Sequence, residues 1–266
     1  RMNPISYILT YREGDEPSRR DNLLAVLAWL AQYPMFVPIV VEQDDAPRLS
    51  AALPNPNCKH IFAYNPGPFN KSWGFNIGFR ASDSPWIAFA DADVILGSSL
   101  PATTEYLREG FQAIKPYRNL IDLDPQETRR VAAGEFDWLP PRDAGHARNR
   151  EGGGEYIVFA GGVFLIARAA FVHVGGWDER FRGWGGEDDA MSYKLERARL
   201  PAIELDQRPA VHLYHPRAPQ TMSAQPHYAA NLSLLEDYRR LEDPELRRFA
   251  EVQMQSIGYR EKYRPR

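Results

Sequence analysis

Apolar residues in the first part of the chain form short continuous runs, which alternate with segments whose apolar residues recur at helical spacing. Leu23, Leu27 and Leu30, for example, lie three or four positions apart, as on one face of an amphipathic helix. The predicted strands are Ile5–Thr10, Met35–Glu42, Lys59–Tyr64 and Trp86–Ala90, and the predicted helices are Asp21–Gln32 and Ser72–Arg80. This alternation predicts an α/β fold with a mostly parallel central sheet flanked by helices.

The second part of the chain has a less regular pattern. Between Gly134 and Glu155, prolines, glycines and charged residues predict a long loop. The elements predicted after it are an apolar run at Tyr156–Ile166, a helix at Glu187–Arg199, a strand at Ala210–Tyr214, and helices at Tyr228–Leu241 and Pro244–Gln255. Because no linker-like stretch divides the chain, we predict a single domain over residues 1–266 that ends in a helical C-terminal tail.

Charge and cysteine content argue against several classes of protein. The 32 Lys and Arg nearly balance the 35 Asp and Glu, which argues against broad binding of nucleic acid through its phosphates. The single cysteine, Cys58, excludes an internal disulfide framework and a cysteine-rich zinc site, and it fits a reducing compartment, so we expect a cytoplasmic protein.

Membrane association is predicted to be weak at most. No apolar run reaches the length of about 18 residues that a membrane-spanning helix needs. The chain also leads directly into its first predicted strand, so no secretory signal is expected. Arg239-Arg240 and Arg247-Arg248 on the predicted tail helices leave a weak peripheral contact with a membrane open.

Two aspartates follow the fourth predicted strand, at Asp91 and Asp93. Side chains two positions apart in an extended segment point to the same side, so both carboxylates can converge on one cation. Oxygen ligands favour Mg²⁺ or Mn²⁺, which commonly bridge to substrate phosphates. A solvated pair that caps the next helix is the alternative interpretation.

A second acidic segment, Gly183-Trp184-Gly185-Gly186-Glu187-Asp188-Asp189, stands at the start of a predicted helix. The helix dipole favours acids there, which explains the acids but not the glycines and the tryptophan that precede them. Glycines permit close approach of a ligand, Trp184 offers a stacking face for a sugar ring, and a neighbouring carboxylate can accept a proton from an attacking hydroxyl.

Two histidines occur near the end of the strand predicted at Ala210–Tyr214. His212 shares a strand face with Tyr214 in this prediction, and His215 follows the strand end. Imidazole suits Mn²⁺ better than Mg²⁺. Each histidine by itself is also compatible with a purely structural role.

Three segments taken together resemble a nucleotide-sugar glycosyltransferase of the GT-A fold: Phe69–Gly78, Asp91–Asp93 and Gly161–Asp189. The chain is most similar in these motifs to the β-1,4-galactosyltransferases and to the chondroitin-polymerase type of family 2 enzymes. The resemblance extends over roughly Ile5 to Arg217. It implies one GT-A domain with a nucleotide-binding half at 1–96, a donor and acceptor half at 97–217, and a loop and helical tail at 218–266.

The resemblance implies a Mn²⁺ site, with Mg²⁺ as a possible substitute. Asp93 would bind the cation, which in turn holds the donor diphosphate, and Asp91 would face the nucleotide ribose or the donor sugar. His215 matches the metal histidine of the family, whereas His212 falls where the β-1,4-galactosyltransferases have a methionine ligand. Whether one or both histidines bind the cation stays open at this point.

Contacts to a UDP-sugar donor are implied for residues in several loops. They are Thr10, Tyr11 and Arg12 toward the nucleotide, Asp44 or Asp45 toward the uracil or ribose, Phe69 on the base, Lys71 toward phosphate, Gly161 and Gly162 beside the diphosphate, and Arg217 toward the diphosphate. Arg217 begins a loop that, in the enzymes it resembles, closes over the donor. A plain surface connection is the alternative for this loop.

The catalytic residues that the resemblance implies lie in the acidic segment. Trp184 would stack between donor and acceptor, Glu187 would hold sugar hydroxyls, and Asp188, next to Asp189, would act as the general base. Attack by the activated hydroxyl in a single displacement inverts the anomeric configuration. The peptide N-acetylgalactosaminyltransferases share Trp-Gly-Gly-Glu but retain configuration, and they have Asn where Asp188 stands, so the acid here favours inversion.

The sequence therefore predicts an inverting hexosyltransferase that uses a UDP-sugar and a saccharide or glycoconjugate acceptor. The donor sugar, either a hexose or an N-acetylhexosamine, is not encoded in the motifs. One alternative is a catalytically silent UDP-sugar or glycan-binding domain of the same fold. Another is a transferase acting on modified nucleic-acid bases, for which arginines near the irregular segment, Arg129, Arg130, Arg142, Arg148 and Arg150, would form a basic stripe. Interspersed acids favour a solvated face instead.

Overall fold

The strands predicted in the first part of the chain form the centre of one large sheet. The structure is a computed structural model that describes residues 3–49, 52–146, 159–217 and 225–264. The strands in these ranges are β1 Ile5–Tyr11, β2 Phe36–Asp44, β3 Lys59–Tyr64, β4 Trp86–Ala90, β5 Val94–Ile95, β6 Ala113–Lys115, β7 Asn119–Asp122, β8 Gly145–His146, β9 Val163–Ala167, β10 Ala202–Glu204 and β11 Ala210–His212. The helices are α1 Ser18–Leu30, α2 Lys71–Arg80, α3 Thr103–Arg108, α4 Pro125–Ala132, α5 Arg168–His173, α6 Glu187–Arg197, α7 Tyr228–Arg240 and α8 Asp243–Ser256.

Seven strands form the central sheet in the order β10-β6-β9-β4-β1-β2-β3. The neighbours β4-β1, β1-β2, β2-β3 and β10-β6 are parallel, whereas β9 runs antiparallel to both β4 and β6. The α/β fold with a mostly parallel central sheet is therefore confirmed. Because β1, β2 and β4 run in one direction, the loops that follow them meet at one edge of the sheet.

Alternating side chains of β1 contact helices on opposite faces of the sheet. Tyr7 and Leu9 join the cluster that contains Trp29 of α1, and the Tyr7 and Trp29 rings pack edge to face with centroids 6.2 Å apart. Ile8 instead joins Phe75 of α2 in the cluster on the other face. Each such buried side chain contributes roughly 1.5–3 kcal/mol. The covered sheet explains why β1 and β2 are apolar almost throughout.

A smaller sheet of four strands, in the order β5-β11-β7-β8, adjoins the central one. β11 pairs antiparallel with β5 and parallel with β7. These strands have two to four residues, as do β6 and β10 of the central sheet, and apart from β11 they were not predicted because such short segments show no periodicity. The predicted long loop is irregular as far as 146, apart from β8, and its remainder lies outside the described residues.

One predicted strand boundary in the second part of the chain is wrong. β11 ends at His212, and the backbone then leaves the sheet, since the Tyr214 N–H donates to the Thr128 hydroxyl at 2.8 Å. Tyr214 is consequently 42% exposed, whereas His212 is 6% exposed, so these two side chains do not share a buried face. The apolar run at Tyr156–Ile166 leads into β9, which spans Val163–Ala167, and residues 156–158 lie outside the described ranges.

The predicted C-terminal helices are present and pack against the rest of the fold. Leu235 and Tyr238 of α7 and Leu246 of α8 cluster with Phe181 and Ala190 around the start of α6. The segment after α8 binds α2, since Trp73 Nε1–H donates to the Tyr259 carbonyl at 2.9 Å. No helix among the described residues has both the length and the apolar character needed to cross a membrane.

Candidate active site

The two aspartates of the Asp91-x-Asp93 segment lie at the sheet edge where β1, β2 and β4 end. The backbone N–H of Asp91 donates to the Gly162 carbonyl at 2.8 Å, which joins this segment to the turn before β9. Asp93 directly precedes β5, whose antiparallel register sets Val94 opposite His212. The short second sheet thus brings the predicted cation ligands together.

Asp93, His212 and His215 form a cluster that we call the cation triad. Each offers a ligand atom within 4.8 Å of the other two. The Nε2 atom of His212 lies 3.4 Å from Asp93 Oδ1, and that of His215 lies 3.2 Å from Asp93 Oδ2. Octahedral coordination at about 2.0–2.1 Å sets neighbouring ligand atoms roughly 3 Å apart, so these spacings fit a divalent cation.

The state of Asp93 also fits a cation ligand. Burial raises the pKa of Asp93, but the charges and hydrogen bonds of His212 and His215 outweigh burial and hold that pKa well below its usual range. Among the described residues, buried Asp93 Oδ1 has no hydrogen-bond partner of good geometry. Carboxylate and imidazole together are a suitable donor set for Mn²⁺.

Lys71, the first residue of α2, lies among three carboxylates that we call the acid cluster: Asp91, Glu187 and Asp188. Its Nζ is 2.8 Å from Asp91 Oδ1, 3.0 Å from Asp188 Oδ2 and 3.7 Å from Glu187 Oε1. Asn70 caps α2 by accepting the Trp73 N–H, which fixes the start of the helix and so the place of Lys71. One ammonium therefore neutralises part of the charge of three acids.

The charges and burial in the acid cluster raise the proton affinity of one carboxylate, that of Asp188. Burial raises the pKa of Asp188 well above its ordinary value, and the negative charges of Glu187 and Asp91 add to this, although Lys71 opposes it. Burial lowers the pKa of Lys71, but the carboxylates, Asp188 first, outweigh burial and raise it. Lys71 is thus a permanent cation, while Asp188 has a higher proton affinity than an ordinary aspartate.

The Gly161-Gly162 turn stands beside the acid cluster, since the Gly162 carbonyl accepts the Asp91 N–H. Gly162 has φ +74°, and a Cβ there would lie 1.9 Å from the Tyr117 hydroxyl, so only glycine fits. The Gly161 carbonyl accepts a hydrogen bond from Nζ of Lys115, a buried lysine at the end of β6. Burial lowers the pKa of Lys115 to about 7.

The loop that carries Trp184 is held from two sides. The Gly183 N–H donates to the Phe69 carbonyl at 2.8 Å. On the other side, the Asn231 side chain of α7 donates to the Arg182 carbonyl at 2.9 Å and to the Trp184 carbonyl at 3.1 Å. Helix α7 therefore shapes the loop that opens the acidic segment.

Comparison with known proteins bears on residues in and around this site. Residues 149–216, which include Gly161-Gly162, the acidic segment and both triad histidines, match a family model described as the N-terminal domain of galactosyltransferase. Human chondroitin sulfate N-acetylgalactosaminyltransferase 1 is 26% identical over 153 residues, which make up 56% of this chain and 27% of that protein. Human polypeptide N-acetylgalactosaminyltransferase 6 is 27% identical over 136 residues, 45% of this chain and 22% of that protein.

Over these residues the chain is related to glycosyltransferases. The resemblance predicted from the motifs is confirmed at this level, while the chain spans about a quarter of the length of these two relatives. In a structural comparison, the catalytic domain of Drosophila beta-1,4-galactosyltransferase 7 in complex with xylobiose superposes with a TM-score of 0.47 at 16% identity, covering 80% of this chain and 72% of that one. A mutant of that enzyme in complex with manganese, UDP-Gal and xylobiose superposes with the same TM-score at 17% identity.

The residues predicted to contact the nucleotide are largely engaged within the protein. Arg12 donates to the carbonyls of Gln43, Asn65 and Gly67 at 2.8, 2.8 and 2.6 Å, and its guanidinium lies 5.8 Å from the Phe69 ring centroid. Arg12 therefore ties the end of β1 to the loop before α2.

Thr10 belongs to a group that we call the polar network: Thr10, Gln43, Asn65 and Asn70. Gln43 Nε2–H₂ donates to the Thr10 hydroxyl and to the Asn70 carbonyl, both at 2.8 Å. Gln43 Oε1 accepts from the Asn65 side chain and from the Asn70 backbone, both at 3.2 Å. All four residues are buried, and their polar groups satisfy one another.

The remaining predicted donor contacts occupy three different environments. Tyr11 is buried, and burial raises the pKa of its hydroxyl to about 12. Asp44 and Asp45 at the end of β2 bind Arg48 at 3.1 and 2.6 Å, on the exposed rim of the sheet edge. Arg217 lies beside the cation triad, with a guanidinium nitrogen 3.1 Å from His212 Nδ1.

Several residues at the site were not predicted. Lys115, Asp122 and Asn231 carry no motif, and only their partners in the fold reveal them. The sequence offers one signal for Lys115: it directly follows the apolar pair Ala113-Ile114, as a lysine at the end of a short buried strand would. Asp122 stands between the apolar residues Ile121 and Leu123, an alternation that predicts the solvent side of a strand.

Proposed function

We propose that this chain is a metal-dependent glycosyltransferase that transfers a hexose or N-acetylhexosamine from a UDP-sugar to a hydroxyl of a saccharide or glycoconjugate, with inversion of configuration. The observation that carries the proposal is the adjacency of two clusters at one sheet edge. The cation triad contains Asp93, the acid cluster contains Asp91 two residues earlier, and Trp184 stands just before the acids. The names of the matched family and relatives supply the reaction class.

Asp188 is the proposed general base. Its raised pKa makes it a stronger base than an ordinary aspartate, closer to the pH at which a base works best. Lys71 holds the carboxylate in place through contacts of 3.1 and 3.0 Å to its two oxygens. A base held by Lys71, four positions after Trp184, suits a single displacement, in which the acceptor hydroxyl loses its proton to Asp188 as it attacks the anomeric carbon.

We assign the other residues at this sheet edge to holding the nucleotide diphosphate that leaves. Asp93, His212 and His215 would hold the cation, which when bound supplies charge stabilisation for a diphosphate leaving group. The Gly161-Gly162 turn allows close approach of backbone to that group, and Arg217 adds a positive charge beside the triad. Glu187 would orient the hydroxyls of the donor sugar.

The test is calorimetric titration of UDP and a panel of UDP-sugars, with Mn²⁺ and with a chelator, followed by turnover with saccharide acceptors. We expect binding only with Mn²⁺, graded by sugar, and loss of this binding in Asp93→Ala. Asp206→Asn, an exposed carboxylate paired with Arg118, is the matched control for charge. Nuclear magnetic resonance of the product reports its anomeric configuration. A product that retains the donor configuration contradicts the inverting mechanism, and no UDP-sugar binding contradicts the function.

A catalytically silent UDP-sugar-binding domain is the second candidate. The acid cluster favours an enzyme over a silent domain. Three carboxylates buried around one ammonium lower the stability of the fold, and a domain that only binds a UDP-sugar would gain nothing from them. Metal-dependent binding without any transfer to a broad acceptor panel would favour the silent domain.

Action on nucleic acid has less support. Two arginines of the proposed basic stripe are paired with acids, Arg130 with Glu135 at 2.7 Å and Arg142 with Glu127. Arg148 and Arg150 lie outside the described residues. Transfer to glycosylatable bases in a DNA acceptor is the observation that would favour this alternative.

A further inference from the structure

An acidic residue outside the cation triad contacts one of its histidines. β7 and β11 are parallel neighbours, and their register sets Asp122 opposite His212. Asp122 Oδ1 lies 3.1 Å from His212 Nδ1, while the other ring nitrogen of His212, Nε2, lies 3.4 Å from Asp93. The imidazole of His212 is therefore held between two carboxylates, one inside the triad and one outside it.

We propose that Asp122 is a positioning residue for the cation site, which accepts the Nδ1–H of His212 and so directs the Nε2 lone pair at the cation beside Asp93. A neutral imidazole carries its proton on one nitrogen and its lone pair on the other, and the hydrogen-bond acceptor decides which. An outer carboxylate of this kind fixes both the tautomer and the ring orientation of a ligand histidine. The proposal rests on the proposed function, because it concerns the same cation site.

The second histidine of the triad has a corresponding acceptor. His215 Nδ1 lies 3.0 Å from the Pro216 carbonyl, and its Nε2 lies 3.2 Å from Asp93 Oδ2. Both histidines therefore present Nδ1 to an oxygen and Nε2 to Asp93. This shared orientation assigns both His212 and His215 as ligands, so the protein supplies three ligands to the cation.

Arg217 holds Asp122 in the orientation that this role needs. One guanidinium nitrogen of Arg217, Nη2, lies 3.1 Å from Asp122 Oδ1 and also 3.1 Å from His212 Nδ1. A guanidinium nitrogen can only donate, so in the proposed arrangement Arg217 and the His212 Nδ1–H both donate to Asp122 Oδ1. A His212 ring with its proton on Nε2 would instead accept from Arg217 at Nδ1, and that arrangement would overturn the proposal. Asp122 is about half exposed, so without a second partner its carboxylate would exchange between His212 and solvent. Arg217 thus links the outer carboxylate to the start of the segment that follows the triad.

The first experiment measures binding of Mn²⁺ itself, in the absence and presence of UDP, by electron paramagnetic resonance of the unbound ion. Asp122→Ala should weaken Mn²⁺ binding by about 10–100-fold, the usual effect of removing an outer partner of a ligand histidine. Asp122→Asn should fall between wild type and Asp122→Ala, because the amide oxygen still accepts from Nδ1–H. Asp206→Asn is the matched control and should bind Mn²⁺ like wild type.

Each result has a distinct meaning. Equal Mn²⁺ affinity of wild type and a folded Asp122→Ala variant overturns the positioning role and leaves the proposed function standing. Failure of the wild type to bind Mn²⁺, with or without UDP, overturns the cation site and the proposed function together. Thermal unfolding in chelator verifies that each variant is folded.

A second measurement covers the case in which Asp122→Ala does not fold. The proton-detected nitrogen spectrum of histidine side chains in the wild-type protein reports which nitrogen of His212 carries the proton. The proposal expects the Nδ1–H tautomer, with the spectrum assigned by comparison with His212→Gln. A proton on Nε2 in the neutral ring overturns it.

Discussion

The polar groups at the carboxyl edge of the sheet fall into two regions with opposite character. In the polar network, Gln43 satisfies Thr10, Asn65 and Asn70 through neutral hydrogen bonds. In the acid cluster, like charges gather around Lys71, and burial pushes the pKa of Asp188 upward. The polar network stabilises the loops around this sheet edge. The acid cluster lowers the stability of the fold but provides a carboxylate that can accept a proton. Substitutions in the two regions should therefore have separable effects.

The largest effect is expected for Asp188→Asn. A positioned general base typically contributes about 10²–10⁴-fold to rate, so transfer should fall by that factor while metal-dependent UDP-sugar binding persists. Thermal stability should rise, because one of three crowded acids is neutralised. Initial rates with saturating donor, set beside unfolding temperatures, provide the measurement. Wild-type turnover in this variant would remove Asp188 from the mechanism.

Gln43→Ala should show the opposite behaviour. Loss of the side chain removes the acceptor of the buried Asn70 backbone N–H and the donor to the buried Thr10 hydroxyl, at about 1–3 kcal/mol for each buried group left unsatisfied. Denaturant unfolding measures the loss in the free energy of unfolding, and turnover per folded molecule should change little. Gln255→Ala on the exposed side of α8 is the matched control. Unchanged stability of Gln43→Ala would show that the polar network does not support the edge.

Lys71→Met tests the electrostatics of the acid cluster through pH. Asp188 acts as a base only when it is deprotonated, so activity should fall as the pH drops through its raised pKa. The Lys71 charge favours the deprotonated form, and its removal should raise that pKa further and move the acid limb of kcat/KM to higher pH. Lys71→Arg keeps the charge and should restore the limb toward its wild-type position. If the acid limb of Lys71→Met stays in place or moves to lower pH, Asp188 is not the group whose pKa sets that limb.

The smallest effect is expected for Arg240→Gln on α7. Arg240 is 73% exposed and contacts Glu236 at 3.3 Å one helical turn away, a solvated pair unlike the buried acid cluster. Such pairs contribute under about 1 kcal/mol, so stability and turnover should both stay close to wild type. Binding to vesicles that contain anionic lipid is the sensitive measurement here. A clear loss of vesicle binding would support the peripheral membrane contact that the tail arginines leave open.

Much of the central sheet was predictable because its signals are local. β3 and β4 have the predicted bounds, and β1, β2, α1 and α2 differ from prediction by only a few residues. The short strands of the second sheet were not predictable, since two to four residues carry no period and depend on pairing partners far along the chain. The motifs at the site were visible as well, and the cation triad brings Asp93, His212 and His215 together as the resemblance implied.

By itself, the sequence determined the periodic elements, the acidic motifs and the glycines that precede α6, because each depends on neighbours a few positions away. Tertiary structure decided which groups face each other. Lys71 meets Asp188 across 117 positions, and Asp122 meets His212 only through the register of β7 and β11. These pairings follow from strand order and register, which local patterns do not specify. They set the charge balance and the ligand orientation on which the proposed chemistry depends.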